Sequence, residues 1–163
     1  MPVSSRIVDV PVDPLTDPLA LERQVCFALA VASRTVISVY RPVLEPMGLT
    51  HPQYLVMLAL WGEEPLSVTE LSRRLELDPA TLSRLLRRLE AADLVRRDRN
   101  PADERSLAVV LTPRGRDLRT QALDVPGTIL ERLGMDLDEL MDLRDRLTGV
   151  IAAAKAATET QPA

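Results

Sequence analysis

The sequence contains very few cysteine, histidine and aromatic residues. In 163 residues there are one cysteine, one histidine and only 2% aromatic residues. A single cysteine excludes an intramolecular disulfide framework and any multi-cysteine metal site. No second ligand is spaced to help the lone histidine hold a metal, so no cofactor is expected. Leucine, valine and alanine must therefore provide the packing, which is typical of helical proteins.

Sequence signals of enzymes and of membrane insertion are also missing. There is no glycine-rich phosphate loop and no nucleophile elbow, so we expect no catalytic function. The longest uninterrupted apolar runs, 25–32 and 55–61, are too short to span a bilayer. The N-terminus lacks the charged start, apolar segment and cleavage site of a signal peptide. These features predict a cytoplasmic protein that is not an enzyme.

Residues 67–112 carry the strongest local pattern in the chain. Ser67 and Glu70 form the capping-box signature that opens a helix. Asp78 and Pro79 begin a second helix, in which leucines recur at i, i+3, i+4 and i+7 and predict one buried stripe. Those leucines are Leu82, Leu85, Leu86 and Leu89. The opposite face carries small, polar and cationic residues, namely Ala80, Thr81, Ser83, Arg84, Arg87 and Arg88.

Two β-strands are predicted after this helix, at residues 94–97 and 107–111, joined by a charged turn at 98–105. In the second strand Leu107, Val109 and Leu111 alternate with Ala108 and Val110, as in a half-buried strand. Helix, turn, helix and hairpin together predict a winged helix-turn-helix, a unit suited to reading duplex DNA.

The charge is distributed unevenly along the chain. The whole chain has a net charge of −4, but residues 73–119 hold twelve arginines against eight carboxylates, a net +4. The remaining residues hold eight basic and sixteen acidic side chains, a net −8. A cationic segment on an anionic body favours binding to DNA through one side of the protein.

The predicted fold is mainly α with a small β-wing, preceded by a mobile N-terminal arm at residues 1–17. Residues 18–163 form one domain, with the winged helix-turn-helix at about 50–112 and dimerisation helices at about 18–45 and 113–158. The first helix is expected at 18–40, closed by Pro42 and Pro46, and the last at about 136–157. The apolar stripes of these helices need a partner, which predicts a homodimer. Two recognition helices about 34 Å apart would match a near-palindromic site.

The sequence resembles the MarR family of transcriptional regulators over roughly residues 19–155. The resembling stretches are 77–90 and 99–106, and Asp103-x-Arg105 in the wing is specific to that family. The resemblance implies that Arg105 enters the minor groove, where negative potential is concentrated, and that Asp103 orients it. It implies DNA contacts, to the major groove or to phosphates, for the residues Thr81, Ser83, Arg84, Arg87, Arg88 and Arg97.

Residues 26–29, 40–44 and 48–55 resemble the OhrR branch of that family, whose members sense organic hydroperoxides. The resemblance implies that Cys26 is a reactive cysteine and that Tyr40 of the other subunit donates a hydrogen bond to its thiolate. Ala30 and His51 stand where tyrosines are usual, and His51 could replace one donor. Cys26 and Tyr40 are roughly 21 Å apart along a helix axis, so they could meet only across a dimer.

The function expected from this resemblance is a dimeric regulator, a repressor, that releases DNA when organic hydroperoxide oxidises Cys26. The alternative is a regulator released by a small aromatic or phenolic ligand bound between the dimerisation and DNA-binding regions. Cys26 would then be inert, as a lone cysteine among Val25, Phe27 and Leu29 commonly is. A pure protein-interaction module would explain the helices but not the Asp103-x-Arg105 wing.

Overall fold

The computed structural model describes residues 17–100 and 103–159. For residues 100 and 103–106 within these ranges, it describes the backbone but not the side chains. The chain divides after Ser38 into two compact units, which are described separately. The predicted arm, 1–17, lies outside the described residues except for Asp17. The elements are α1 Val25–Leu44, α2 His51–Gly62, β1 Leu66–Ser67, α3 Val68–Leu75, α4 Pro79–Ala91, β2 Val95–Asn100, β3 Asp103–Leu111, α5 Pro113–Ala122, α6 Val125–Leu133 and α7 Leu137–Glu159.

Helix α1 begins later and ends later than predicted. A short 3-10 turn, Leu21–Arg23, precedes it, and Gln24 between the two is extended, so no continuous helix starts at residue 18. At the other end Pro42 lies inside the helix, which continues to the buried Leu44. The expectation that Pro42 closes the helix was wrong. A proline in the last turn removes only one backbone hydrogen bond, and it does so close to the helix end, where several carbonyl groups have no partner within the helix in any case.

The segment Val25–Met47 is long and apolar enough to cross a membrane when judged by length and composition alone, with a mean hydropathy of 1.3 over its most apolar stretch. The estimate from uninterrupted apolar runs did not anticipate this, because polar residues such as Ser33 and Arg34 break the run without breaking the helix. A helix that packs against another protein chain meets the same criterion.

The predicted helix start at Ser67 is confirmed, and a second capping box, at Thr50, precedes α2. The backbone N–H of Thr50 donates to Gln53 Oε1 over 2.8 Å at the start of α2. At the start of α3 the N–H of Ser67 donates to Glu70 Oε2 over 2.8 Å, and the N–H of Glu70 donates to Ser67 Oγ over 3.1 Å. These reciprocal bonds satisfy amide groups that have no partner within the helix.

The sheet has three antiparallel strands in the order β1-β3-β2, one more than predicted. Strand β1 is only two residues long and pairs with Val109 and Ala108 of β3. Strand β2 continues to Asn100 and strand β3 begins at Asp103, so most of the residues of the predicted turn belong to the two strands. Leu107, expected on the same face of the strand as the buried Val109 and Leu111, is 50% exposed, whereas Ala108 on the alternate face is 1% exposed. Leu107 pairs with Arg99 toward the outer end of the hairpin, beyond the core.

Leucine dominates the core of residues 39–159. Its fully buried members include three of the four leucines of the predicted α4 stripe, with Leu85 at 9% exposed, together with Leu44, Met57, Leu71, Val109 and Ile129. The helical structure is interrupted just before Pro126, since α5 ends at Ala122 and α6 begins at Val125. Helix α7, by contrast, has no buried residue. Its exposed apolar side chains are Leu137, Met141, Leu143, Leu147, Val150 and Ile151. The fold is mainly helical with a small sheet, as predicted.

Candidate nucleic-acid interface

Helix α4 is fixed at its first turn by the side chain of Asp78. Asp78 Oδ1 accepts a hydrogen bond from the backbone N–H of Thr81 over 2.9 Å. Hydrogen bonds from the hydroxyl and from the backbone N–H of Thr81 lower the pKa of the Asp78 carboxyl, because they stabilise its charged form. Pro79 follows in the first helical position, where a missing N–H is tolerated. The cap therefore orients the N-terminal turn of α4, the part of a recognition helix that meets base edges.

The outward face of α4 presents free cationic groups. Leu82, Leu86 and Leu89 are fully buried, which leaves the opposite face of the helix outside the core. Arg84, Arg87 and Arg88 are exposed, and neither Arg87 nor Arg88 has an ion pair to any part of the chain that the structure describes. Thr81 and Ser83, in the N-terminal half of the same helix, are half-buried. The guanidinium of Arg84 donates to Thr81 Oγ1 over a long 3.4 Å. This arrangement can bind phosphates and base edges.

The arginines of strand β2 have different surroundings. Arg97 Nε lies 3.1 Å from Glu90 Oε1, and both side chains are about one-third exposed or less. Arg96 is ion-paired with Asp98 along the same strand. Arg99 is exposed. Arg97, predicted as a DNA contact, is therefore engaged in joining β2 to the last turn of α4.

The wing tip carries the two residues of the Asp-x-Arg motif. The backbones of Asp103 and Arg105 belong to β3, and Asn100 pairs with Asp103 where the hairpin register shifts. The side chains of Asp103 and Arg105 lie outside the described residues. Their assignment to the minor groove stays a prediction.

The three residues predicted for redox sensing lie in different units. Cys26 is an exposed free thiol in the first unit. Tyr40 and His51 lie in the second unit, where their rings meet edge to face with centroids 5.1 Å apart. Burial raises the pKa of the Tyr40 phenol and lowers the pKa of the His51 imidazole. Both rings are thus held neutral, and each has a polar hydrogen to donate near neutral pH.

One structural cluster was missed by the sequence analysis. Gly115, near the start of α5, packs directly on the backbone of Leu94, just before β2. The Trp61 indole N–H donates to the carbonyl oxygen of Gly115 over 2.8 Å. Thr112 Oγ1 donates to the carbonyl oxygen of Asp93 over 2.7 Å and accepts from the N–H of Gly115 over 3.0 Å. The only signal in the sequence was the cap-and-proline pair Thr112-Pro113, followed closely by a glycine.

A capped helix-turn-helix with a free cationic face and an antiparallel wing defines a winged helix-turn-helix protein. Comparison with known proteins agrees with this class. The sequence profile of the MarR family matches residues 49–107. The regulator TtmR of Methylorubrum extorquens (strain PA1) is 46% identical over 82% of this chain and 69% of its own length.

Two further similarities bear on function. The organic hydroperoxide resistance transcriptional regulator of Bacillus subtilis (strain 168) is 42% identical over 76% of this chain and 86% of its own length. The structure of reduced AbfR bound to DNA aligns with a TM-score of 0.68 at 30% identity, over 82% of this chain and 94% of that one. The chain belongs to the MarR family and is a DNA-binding transcriptional regulator of that family, whose members are regulators and not enzymes.

Proposed function

We propose that two copies of this protein bind a near-palindromic DNA site in the cytoplasm as a repressor. The observation that carries the proposal is the exposed face of α4, on which Arg84, Arg87 and Arg88 project from a helix whose other face is buried. AbfR, which shares the fold, has been crystallised on DNA. Thr81 and Ser83 would lie in the major groove, with Asp103 and Arg105 at the adjacent minor groove.

A second copy of the chain is needed to cover apolar surface that one copy leaves open. Met141, Leu147 and Ile151 on α7 are each more than one-third exposed, and so are Phe27 and Ile37 on α1. Helix α7 has no buried residue in the single chain, and exposed apolar faces of this kind are typical of surfaces that another chain covers. A homodimer built from these helices would bury it, and would also hold two recognition helices at a fixed separation.

The signal proposed for this regulator is an organic hydroperoxide acting on Cys26. The Cys26 thiolate attacks one peroxide oxygen, the O–O bond breaks, and the released alkoxide takes up a proton to leave as an alcohol. The sulfur is oxidised to a sulfenic acid, which condenses with a small thiol to give a mixed disulfide and water. Cys26 is the only cysteine in the sequence, so no second protein thiol of the same chain competes for the sulfenic acid.

Two observations support this signal over an inert cysteine. Cys26 is exposed in the single chain and is not packed in its core. Tyr40 and His51 form a contacting pair beside the exposed Leu55 of α2, on a face that a second subunit could cover. A thiolate of that subunit would find two polar hydrogens there. The Bacillus relative, whose name refers to organic hydroperoxide resistance, is 42% identical.

Gel retention of the gene's own upstream DNA tests the proposal. We expect the wild-type protein to retain the DNA, to lose it after treatment with an organic hydroperoxide, and to regain it after excess dithiol. Cys26→Ser should retain the DNA with and without peroxide. Equal release of wild type and Cys26→Ser by peroxide would contradict the redox signal. Absence of retention by reduced wild type would contradict the DNA-binding proposal itself.

A small aromatic anion is the second candidate signal. Trp61, Arg116 and Arg119 line a cavity of about 450 Å³ between the end of α2 and the start of α5. Glu63 and Glu64 also line the cavity, and Glu64 is ion-paired with Arg116. Arg119 beside the tryptophan ring is therefore the group suited to an aromatic carboxylate. Release of DNA by such a compound from the Cys26→Ser protein would favour this candidate over oxidation.

A further inference from the structure

The start of α5 is held against the winged unit by an unusually close backbone approach. A Cβ atom added to Gly115 would lie 2.0 Å from the carbonyl oxygen of Leu94 and 3.0 Å from its carbonyl carbon. Any larger residue would therefore have to push α5 away from the turn that precedes β2. Residue 115 must be glycine for this approach, although nothing in its position as the third residue of a helix demands one.

Trp61 also contacts Gly115, through a hydrogen bond. Its indole N–H donates to the Gly115 carbonyl oxygen over 2.8 Å, which ties the end of α2 to α5. Glu64 forms a second tie, since its carboxylate accepts from the N–H of Leu111 over 2.7 Å and from Arg116 Nε over 2.8 Å. The start of α5 is thus bonded to α2, to the end of β3 and to the turn before β2.

Helix α5 connects the wing to α6 and α7 along the chain, and α7 is a helix whose apolar surface needs a partner. Its direction at Gly115 therefore determines where the winged unit lies relative to those helices. None of these junction residues belongs to the cationic face of α4. Their influence on DNA binding would be through geometry alone.

We propose that Gly115 and Trp61 are positioning residues that set the separation of the two recognition helices in the dimer. The inference rests on the homodimer of the proposed function. Relieving the contact at Gly115 requires a displacement of about 1 Å, since Cβ contacts below 3.0 Å do not occur. Over a helix about 15 Å long that is a tilt of about 4°. Across two winged units each about 25 Å wide it changes their separation by about 3 Å.

Electron–electron distance measurement between spin labels tests the proposal. Thr69 on α3 is exposed, so Thr69→Cys in a Cys26→Ser background places one label on each winged unit of the dimer. Gly115→Ala and Trp61→Phe are then compared with this parent. Trp61→Phe keeps an aromatic ring and removes only the N–H donor and part of the ring volume. Gly62→Ala is the matched control, because a Cβ there meets nothing within 4 Å.

We expect the most populated distance to shift by about 3 Å in Gly115→Ala, because its Cβ displaces α5. In Trp61→Phe, which loses the bond to α5, we expect the distance distribution to widen. Gly62→Ala should show neither change. If Gly115→Ala does not fold, Trp61→Phe alone decides. An unchanged distance distribution in folded Trp61→Phe would overturn the proposal and leave the dimer intact. If the labelled parent protein shows no distance between two labels, it does not form the homodimer, and the basis of this inference is lost.

Discussion

Replacing Thr112 by valine should destabilise the protein far more than the same change at an exposed threonine. The Thr112 side chain is 6% exposed. Its hydroxyl donates to the carbonyl oxygen of Asp93 over 2.7 Å and accepts from the N–H of Gly115 over 3.0 Å. Valine has nearly the same shape, so Thr112→Val removes both hydrogen bonds and leaves the packing in place.

The magnitude follows from the two bonds and from what their loss leaves behind. A neutral hydrogen bond contributes about 1 kcal/mol net, and a buried polar group left without a partner costs about 1 to 3 kcal/mol. Loss of the N-cap of α5 is part of this sum and typically costs about 1 kcal/mol by itself. We therefore expect Thr112→Val to lower the free energy of unfolding by about 2 to 3 kcal/mol.

Urea denaturation followed by tryptophan fluorescence measures this loss. Trp61 is the only tryptophan in the sequence and bonds to Gly115, so its emission reports on this region. All variants must be measured at one protein concentration, because the stability of a dimer depends on it. Thr120→Val, at an exposed position of the same helix, should change the free energy by less than about 0.5 kcal/mol. Thr112→Ser, which keeps the hydroxyl, should recover most of the loss. Equal losses at positions 112 and 120 would refute the reasoning.

Three further outcomes are expected. Leu86 is fully buried and Leu123 is 61% exposed, so in urea denaturation Leu86→Ala should lower the free energy of unfolding by about 2 to 5 kcal/mol and Leu123→Ala by less than about 0.5. Arg87→Ala should weaken DNA binding, and in a salt titration it should reduce the magnitude of the slope of log affinity against log salt concentration by about 1. Arg144→Ala on α7 should change neither the affinity nor the slope. Burial lowers the pKa of His51 below its ordinary 6.5, so the unfolded chain binds more protons as pH falls through that value. The free energy of unfolding should therefore decrease below about pH 6.5, and His51→Gln should remove this part of the decrease in a pH series.

Local sequence signals predicted much of the structure because the interactions behind them span only a few residues. A capping box joins Ser67 to Glu70, and an N-cap joins Asp78 to Thr81, each three residues apart. The leucine stripe of α4 follows from helix geometry in the same way. Such contacts form whenever the helix forms, so the sequence of one segment is sufficient to predict them.

Contacts between distant segments were not predictable in this way. Strand β1 exists because Leu66 and Ser67 pair with residues more than forty positions later. The bond from Trp61 to Gly115 spans 54 positions. Neither contact leaves a periodic pattern in the sequence around it. The start of α1 was misplaced for a different reason, since the extended conformation of Gln24 is not favoured by any breaker residue nearby.

The arginines show why a count of charges identifies a DNA-binding segment but not its DNA-binding residues. Within residues 73–119 Arg74, Arg96, Arg97 and Arg116 each form an ion pair, with Glu63, Asp98, Glu90 and Glu64 respectively. A guanidinium paired in this way must give up a carboxylate before it can bind a phosphate, so it contributes less to affinity. On the outward face of α4, Arg87 and Arg88 have no ion pair with the described residues. The net charge of the segment therefore does not show which of its arginines are unpaired. Glu90→Gln tests this difference between paired and unpaired arginines, because it removes the carboxylate that pairs with Arg97. The DNA affinity, measured in a salt titration, should rise if Arg97 then reaches a phosphate.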